Sequence, residues 1–207
     1  MGKFINGANG PIQGKIGAVI GSSWKGIPYV KGPYKKRTIM ISEREKGNRN
    51  KFSLAQSWLS PLLPFVRVGF KGYAPPIEGY VAAKSHILHN AFENGVINPS
   101  MVKVSHGDLQ LPGNIAVGKI NDHQLRYTWD TTLSGNASHK DQVMLLAYNV
   151  ENAKAYYSLT GQFRSAGMDT LEIDPTKGLI YHIYVAFVAD DRSSQSDSMY
   201  LGILKNE

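Results

Sequence analysis

His86 and His89 stand three residues apart in a stretch of helical periodicity, so one helix face could turn both imidazoles towards a single metal ion. No Glu-flanked motif and no nearby third ligand accompanies them, and surface or partly buried histidines are the plainer reading. His106, His123, His139 and His182 are scattered. Two acidic pairs, Asp190-Asp191 and Glu172 with Asp174, have the residue types for general acid/base work. Asp190, Asp191 and Asp197 together would suit calcium. All of them fall beside turn signals, where Asp is common because its side chain bonds the nearby backbone. The solvated-turn reading is therefore stronger. Gly14-Lys15-Ile16-Gly17 and Gly7-Ala8-Asn9-Gly10 do not match a phosphate loop, and neither G-x-S-x-G nor H-E-x-x-H occurs. The chain has no cysteine, which removes disulfides, thiolate nucleophiles and cysteine-held metals. The reading is no catalytic residue, no metal site and no cofactor.

A different chemistry is concentrated at the start. Residues 1–51 carry 11 Lys/Arg against two acids, Glu43 and Glu45, whereas residues 52–207 carry 12 against 14. Lys25, Lys31, Lys35, Lys36 and Arg37 interleave with Trp24, Tyr29 and Tyr34. Cations beside aromatics can neutralise phosphates and stack on bases. Ile16, Val19, Ile20, Ile27, Tyr29 and Val30 also give this segment an apolar content that nucleic-acid contact alone would not need. The candidate partner-binding residues are Ile16, Val19, Trp24, Ile27, Tyr29, Val30, Lys35, Lys36 and Arg37. Protein is the favoured partner and nucleic acid the alternative.

The elements that position these residues follow from length and pattern. With 42% hydrophobic and 19% charged residues, 207 residues suffice for one large or two small folded domains. Glycines every few residues make 1–37 a basic, extended arm. Its expected hairpin has strands Lys15–Gly21 and Gly26–Lys31, joined through Ser22-Ser23-Trp24-Lys25. Pro28 implies an edge strand or a strand start. Residues 38–108 read as a helical region with one short strand. One helix runs over about 50–60, with Phe52, Leu54, Ala55, Trp58 and Leu59 inward. A second covers about 76–93, with Ile77, Tyr80, Val81, Leu88, Ala91 and Phe92 inward and Gly95 at its end. The strand is Ser100–Ser105.

From about 112 to 207 the pattern changes to seven short apolar segments separated by Gly, Asn, Asp, Ser and Pro. They are 114–120, 124–130, 142–149, 155–159, 170–173, 180–189 and 199–204. The fold class is α+β: an N-terminal hairpin arm and two helices, followed by an antiparallel β-sandwich.

Leu125-Arg126-Tyr127-Thr128-Trp129-Asp130, the run Asp141–Asn149, Thr170–Ile173 followed by Gly178–Phe187, and Ser196–Gly202 resemble a fibronectin type III or immunoglobulin-like module. That fold carries many functions. Across nearly its full length the chain also resembles an uncharacterised family of about 210 residues, found mainly in Bacteroidota. This likeness rests on Gly14-Lys15-Ile16-Gly17, on Gly21-Ser22-Ser23-Trp24-Lys25-Gly26-Ile27-Pro28-Tyr29, on the central helices and on Ser198-Met199-Tyr200-Leu201-Gly202. The resemblance implies no activity.

The expectation is a non-enzymatic structural protein that self-associates, or docks into a larger assembly, through its arm. A homo-oligomer or larger protein assembly is the expected partner. No run of about 18 apolar residues is present to span a membrane. The start lacks an ordinary secretory signal, so a cytoplasmic location or a signal-independent release is expected.

Overall fold

The computed structural model describes residues 2–7, 10–35, 38–72 and 78–206. Helices and antiparallel sheets occupy separate stretches, so the fold is α+β. Residues 1–43 and 44–207 form two compact units.

The first unit is a four-stranded antiparallel meander, β1 (Lys3–Phe4), β2 (Ile12–Ile16), β3 (Val19–Trp24) and β4 (Ile27–Lys31), in that spatial order. It replaces the expected two-stranded hairpin. Gly17 and Ala18 form a two-residue turn inside the predicted first strand, with Gly17 at φ +57°. Ser22–Trp24, expected in the connection, are strand instead, paired with Ile27–Tyr29. The reversal falls at Lys25-Gly26, where φ is +49° and +82°, as a type I′ hairpin turn requires. Gly21 lies opposite Gly14, and a Cβ there would collide with the Ile12 carbonyl.

The second unit starts from helices. α1 spans Glu43–Leu59 and α2 Leu63–Gly69, with a single 3-10 turn, Ser60–Leu62, between them. Pro61 and Pro64 sit in the first turns of these short segments, where the missing N–H costs nothing. α1 begins earlier than the periodicity predicts, and only Ala55, Trp58 and Leu59 are buried on it. Phe52 and Leu54, expected inward, are about half exposed.

α3 spans Gly79–Asn90 and buries Ala82, Ala83 and Ile87. Of the predicted stripe, Ala91 is buried and Tyr80, Leu88 and Phe92 pack on the core, whereas Val81 is about half exposed. Small alanines face the core because α3 packs closely on α2, where Gly79 approaches the Val66 carbonyl. Pro76 and Ile77, predicted as its first turn, lie outside the described residues. Gly95 does not end this helix. Asn94-Gly95, both at positive φ, turn a small hairpin between β5 (Phe92–Glu93) and β6 (Val96–Ile97). The strand expected over Ser100–Ser105 is absent. Pro99–Met101 make a 3-10 turn capped by the Asn98 carboxamide, and Val102 and Val104 enter the core from irregular chain.

The seven predicted segments beyond residue 112 are all strands: β7 (Ala116–Asn121), β8 (Gln124–Thr128), β9 (Gln142–Asn149), β10 (Lys154–Ser158), β11 (Met168–Glu172), β12 (Ile180–Val188) and β13 (Met199–Lys205). They form a four-stranded sheet, β10-β9-β12-β13, and a three-stranded sheet, β11-β8-β7.

The central strands β9 and β12 are buried on both faces. Met144, Leu146, Tyr148, Tyr184, Ala186 and Val188 pack with the helices, around Trp58, Leu62, Phe65 and Ile87. The alternate residues Val143, Leu145, Ala147, Ile183, Val185 and Phe187 pack with Leu125, Tyr127 and Leu171 of the three-stranded sheet. The four-stranded sheet is thus a middle layer with a separate apolar core on each side. At one end of the second core Arg164 is fully buried. Its Nε donates to Asp141 Oδ2 at 3.0 Å, its Nη2 donates to the Gln110 carbonyl at 2.7 Å, and its guanidinium lies over the Phe187 ring. The Arg164 carbonyl accepts from Trp129 Nε1 at 2.8 Å. No described helix is long and apolar enough to cross a membrane.

Candidate interaction surface

Strand pairing sorts the candidate residues of the N-terminal sheet into two groups. Directly opposed residues of an antiparallel pair share a face, and neighbours along a strand alternate. The register joins Phe4 to Ile12, Ile16 to Val19, Gly21 to Val30 and Ser23 to Pro28. One face therefore carries Phe4, Ile12, Ile16, Val19, Pro28 and Val30, with the side-chain-free pair Gly14 and Gly21 at its centre. It holds no charge. The register likewise joins Lys3 to Gln13, Lys15 to Ile20, Ile20 to Lys31, Ser22 to Tyr29 and Trp24 to Ile27. The opposite face is basic and aromatic.

Of the six apolar candidates, Ile16, Val19 and Val30 lie on the first face and Trp24, Ile27 and Tyr29 on the second. The sequence offers them as one set of contacts, and the register distributes that set over two faces. Val30 is 58% exposed, Trp24 53% and Ile27 61%. Lys25 Nζ stands 5.3 Å from the centre of the Trp24 ring, and Lys31 Nζ 5.9 Å from that of Tyr29. Lys35 is exposed. Lys36 and Arg37 lie outside the described residues.

Among the described residues of 2–42 only Gly21 is buried. A sheet of this size needs a covered apolar face to be stable. The outer edge of β4 is poorly suited to receive another strand. Trp24 and Ile27 flank the two-residue turn and exchange both hydrogen bonds, so Pro28 falls at an outward-facing position, where it has no N–H to offer.

In residues 44–207 several titratable groups are engaged with neighbouring side chains and backbone. Asp197 accepts from Lys103 Nζ at 2.5 Å, lies 2.6 Å from His106 Nδ1 and also accepts from the Gly107 N–H. Burial would raise its carboxyl pKa. The hydrogen bonds from Lys103 and Gly107 and the neighbouring positive charges outweigh that and hold it below the usual carboxylate value. This clasp ties the segment after α3 to the β12–β13 connection, and sequence reasoning missed it because its members are 94 residues apart. Asp197 is thereby turned to a lysine instead of a calcium set, and Asp191 accepts the Ser193 N–H. Asp174 accepts from the Thr176 hydroxyl and from Lys154, which hold its pKa well below the ordinary value. Among the described residues no three His, Asp or Glu side chains converge as a metal set.

His89 uses Nδ1 on the Ser85 carbonyl of its own helix. His86 Nδ1 is buried without a partner among the described residues. Burial lowers the His86 pKa, Lys103, His106 and His89 lower it further, and Asp197 opposes them. Burial also lowers that of His182, whose Nδ1 lies 3.0 Å from the Tyr200 hydroxyl. A histidine depressed in the folded state takes its proton first in the unfolded state. Stability is then full above the unfolded value of about 6.5 and falls as pH drops towards the lowered folded values. Urea midpoints should therefore be lower at about pH 5.5 than at about pH 7, and His86→Gln should flatten part of that dependence.

An apolar cleft of about 350 Å³ lies between α1 and the β5–β6 hairpin, lined by Leu54, Trp58, Val96, Ile97, Tyr148 and Val150 among others. Tyr148 donates to the Trp58 carbonyl at 2.9 Å, whereas Trp58 Nε1 is buried with no acceptor among the described residues.

No curated protein and no solved structure matches this chain. The model of a family of unknown function, DUF6266, does match, over residues 11–202. That match spans both the N-terminal sheet from β2 onward and nearly all of the helical and sheet layers, and the chain belongs to this family.

Proposed function

We propose that this chain is a non-enzymatic assembly protein whose N-terminal sheet is the element that takes the partner, with residues 44–207 as the rigid body it serves. The observation that carries this reading is an ordered four-stranded sheet with almost nothing of its own buried, exposing apolar and aromatic side chains on both faces. Contiguous exposed apolar surface of this kind marks interaction sites.

The body is read as a fibronectin type III-like sandwich over 112–207 with a helical layer added on one side. Three features support that. The strands divide four and three, β12 lies between β9 and β13, and β8 lies between β11 and β7. Tyr181, near the start of β12, donates back to the Asp174 carbonyl at 3.1 Å, as the tyrosine corner of such sandwiches does. Trp129 packs edge-on against Phe187 at 5.4 Å.

The test compares the solution mass of the full chain with that of a chain lacking residues 1–42. Assembly of the first and a folded, monomeric second support the reading. Equal subunit numbers for the two chains remove the arm from self-assembly. The second reading, nucleic-acid binding, draws on the face that carries Lys3, Lys15 and Lys31 together with Trp24 and Tyr29. It requires single-stranded DNA binding that weakens steeply with salt.

A further inference from the structure

Resting on the assembly reading, the two faces of the N-terminal sheet differ in which of them another copy of this chain can meet. Residues 1–42 contain seven Lys/Arg and no acidic residue, so the segment repels itself unless its charges are kept apart. Contact through the basic face would set Lys3, Lys15 and Lys31 of one copy against those of the other. Contact through the opposite face avoids this. Facing sheets pack about 10 Å apart. The lysines then project outward from both layers, further from one another than the screening length of about 8 Å at physiological ionic strength.

The shape agrees with the charge. Ile12 closes over Gly21, and the space above Gly2 is taken by the Ile16 side chain, so the sheet curls towards its apolar face. Ile12 and Ile16 are half-buried there, while Phe4 (51% exposed) and Val30 stand out at the rim.

We propose that the apolar face of the N-terminal sheet packs against the same face of a second copy, about a two-fold axis, to form a two-layer sandwich with both basic faces outward. Such an isologous contact closes at the dimer. It uses Phe4, Ile12, Ile16, Val19 and Val30, and leaves Trp24, Ile27 and Tyr29 uncovered.

The experiment measures the dimer dissociation constant of the full chain by sedimentation, beside Val30→Glu on the apolar face and Ile27→Glu on the basic one. Both positions are on the same exposed strand. Val30→Glu is expected to weaken the dimer at least roughly 30-fold, since each contact carries the charge twice, and Ile27→Glu by less than about three-fold. Dissociation by Ile27→Glu with Val30→Glu intact overturns the choice of face and leaves the arm as the interface. A dimer unaffected by either overturns this proposal and the arm reading together. Loss with both overturns a one-faced contact. A monomeric wild-type chain overturns the second copy as partner, and the assembly reading then needs a foreign protein.

Because an arm released from its partner can lose order, a conservative readout accompanies the charges. The chain has no cysteine, so Val30→Cys and Ile27→Cys each introduce a single thiol. A short bis-maleimide should join two Val30→Cys chains and leave Ile27→Cys chains single. The reverse pattern overturns the proposal.

Discussion

Asp141→Ala lowers the stability of residues 44–207 by about 3–5 kcal/mol, the cost of leaving a buried charge without its partner. Arg164 is fully buried and Asp141 is 1% exposed. Among the described residues the guanidinium has Asp141 as its one carboxylate and Nη1 lacks an acceptor. Burial lowers the Arg164 pKa and the Asp141 charge opposes that shift, so alanine at 141 removes what keeps the cation tolerable. The same carboxylate accepts the Ser138 N–H, which closes the loop leading into β9, and Arg164 N–H donates to the Asp141 carbonyl at 2.7 Å.

Urea unfolding followed by tryptophan fluorescence measures the loss, because the Trp129 indole is bonded to the Arg164 backbone. The double variant Asp141→Leu/Arg164→Met should recover most of it, since replacing a buried pair by apolar groups of similar size is close to neutral. If Asp141→Ala alone costs under about 1 kcal/mol, the pair behaves as an exposed one and its burial is wrong.

Phe65→Ala is expected to cost about 3–5 kcal/mol by loss of transfer free energy and by the cavity it leaves. Phe65 is fully buried on α2 and its ring meets Tyr157 of β10 edge-on, 6.4 Å between centres. It belongs to the core on the helical side of the middle sheet, whereas Phe187 belongs to the other core. Phe187→Ala should cost a comparable amount. These two cores share β9 and β12, so damage to either weakens both layers. In each variant the helical signal in circular dichroism and the tryptophan fluorescence, to which Trp58 and Trp129 contribute from the two cores, should therefore fall in one coincident transition. Helices that melt before the sheets in Phe65→Ala would mean that the helical layer and the sheet layers are separate cooperative units.

The strands beyond residue 112 are legible because short segments with apolar, often β-branched or aromatic, residues recur there between turn formers. Gln142–Asn149 agrees with the sequence reading residue for residue. What that run could not disclose is its place. Val143 to Tyr148 are apolar without alternation, which fits burial on both faces, yet nothing local says that one face meets helices and the other a second sheet. The middle layer exists because β9 and β12 pair over seven residues, Gln142–Tyr148 with His182–Val188, a contact between segments 40 residues apart.

The N-terminal sheet shows the opposite balance. Its basic and aromatic character was plain in composition, but its strands were misplaced. Gly17-Ala18 passes for the interior of an apolar strand, and Ser22-Ser23 passes for a loop. Cross-strand pairing decides both, since a two-residue reversal at Lys25-Gly26 sets every register behind it. The candidate residues form one set in the sequence, and the register places them on two faces. Whether Val30 and Trp24 act together depends on the face each occupies. With a side-chain period of two, face is a property of the paired sheet, whereas the net charge, the missing cysteines and the apolar content were determined by the residues alone.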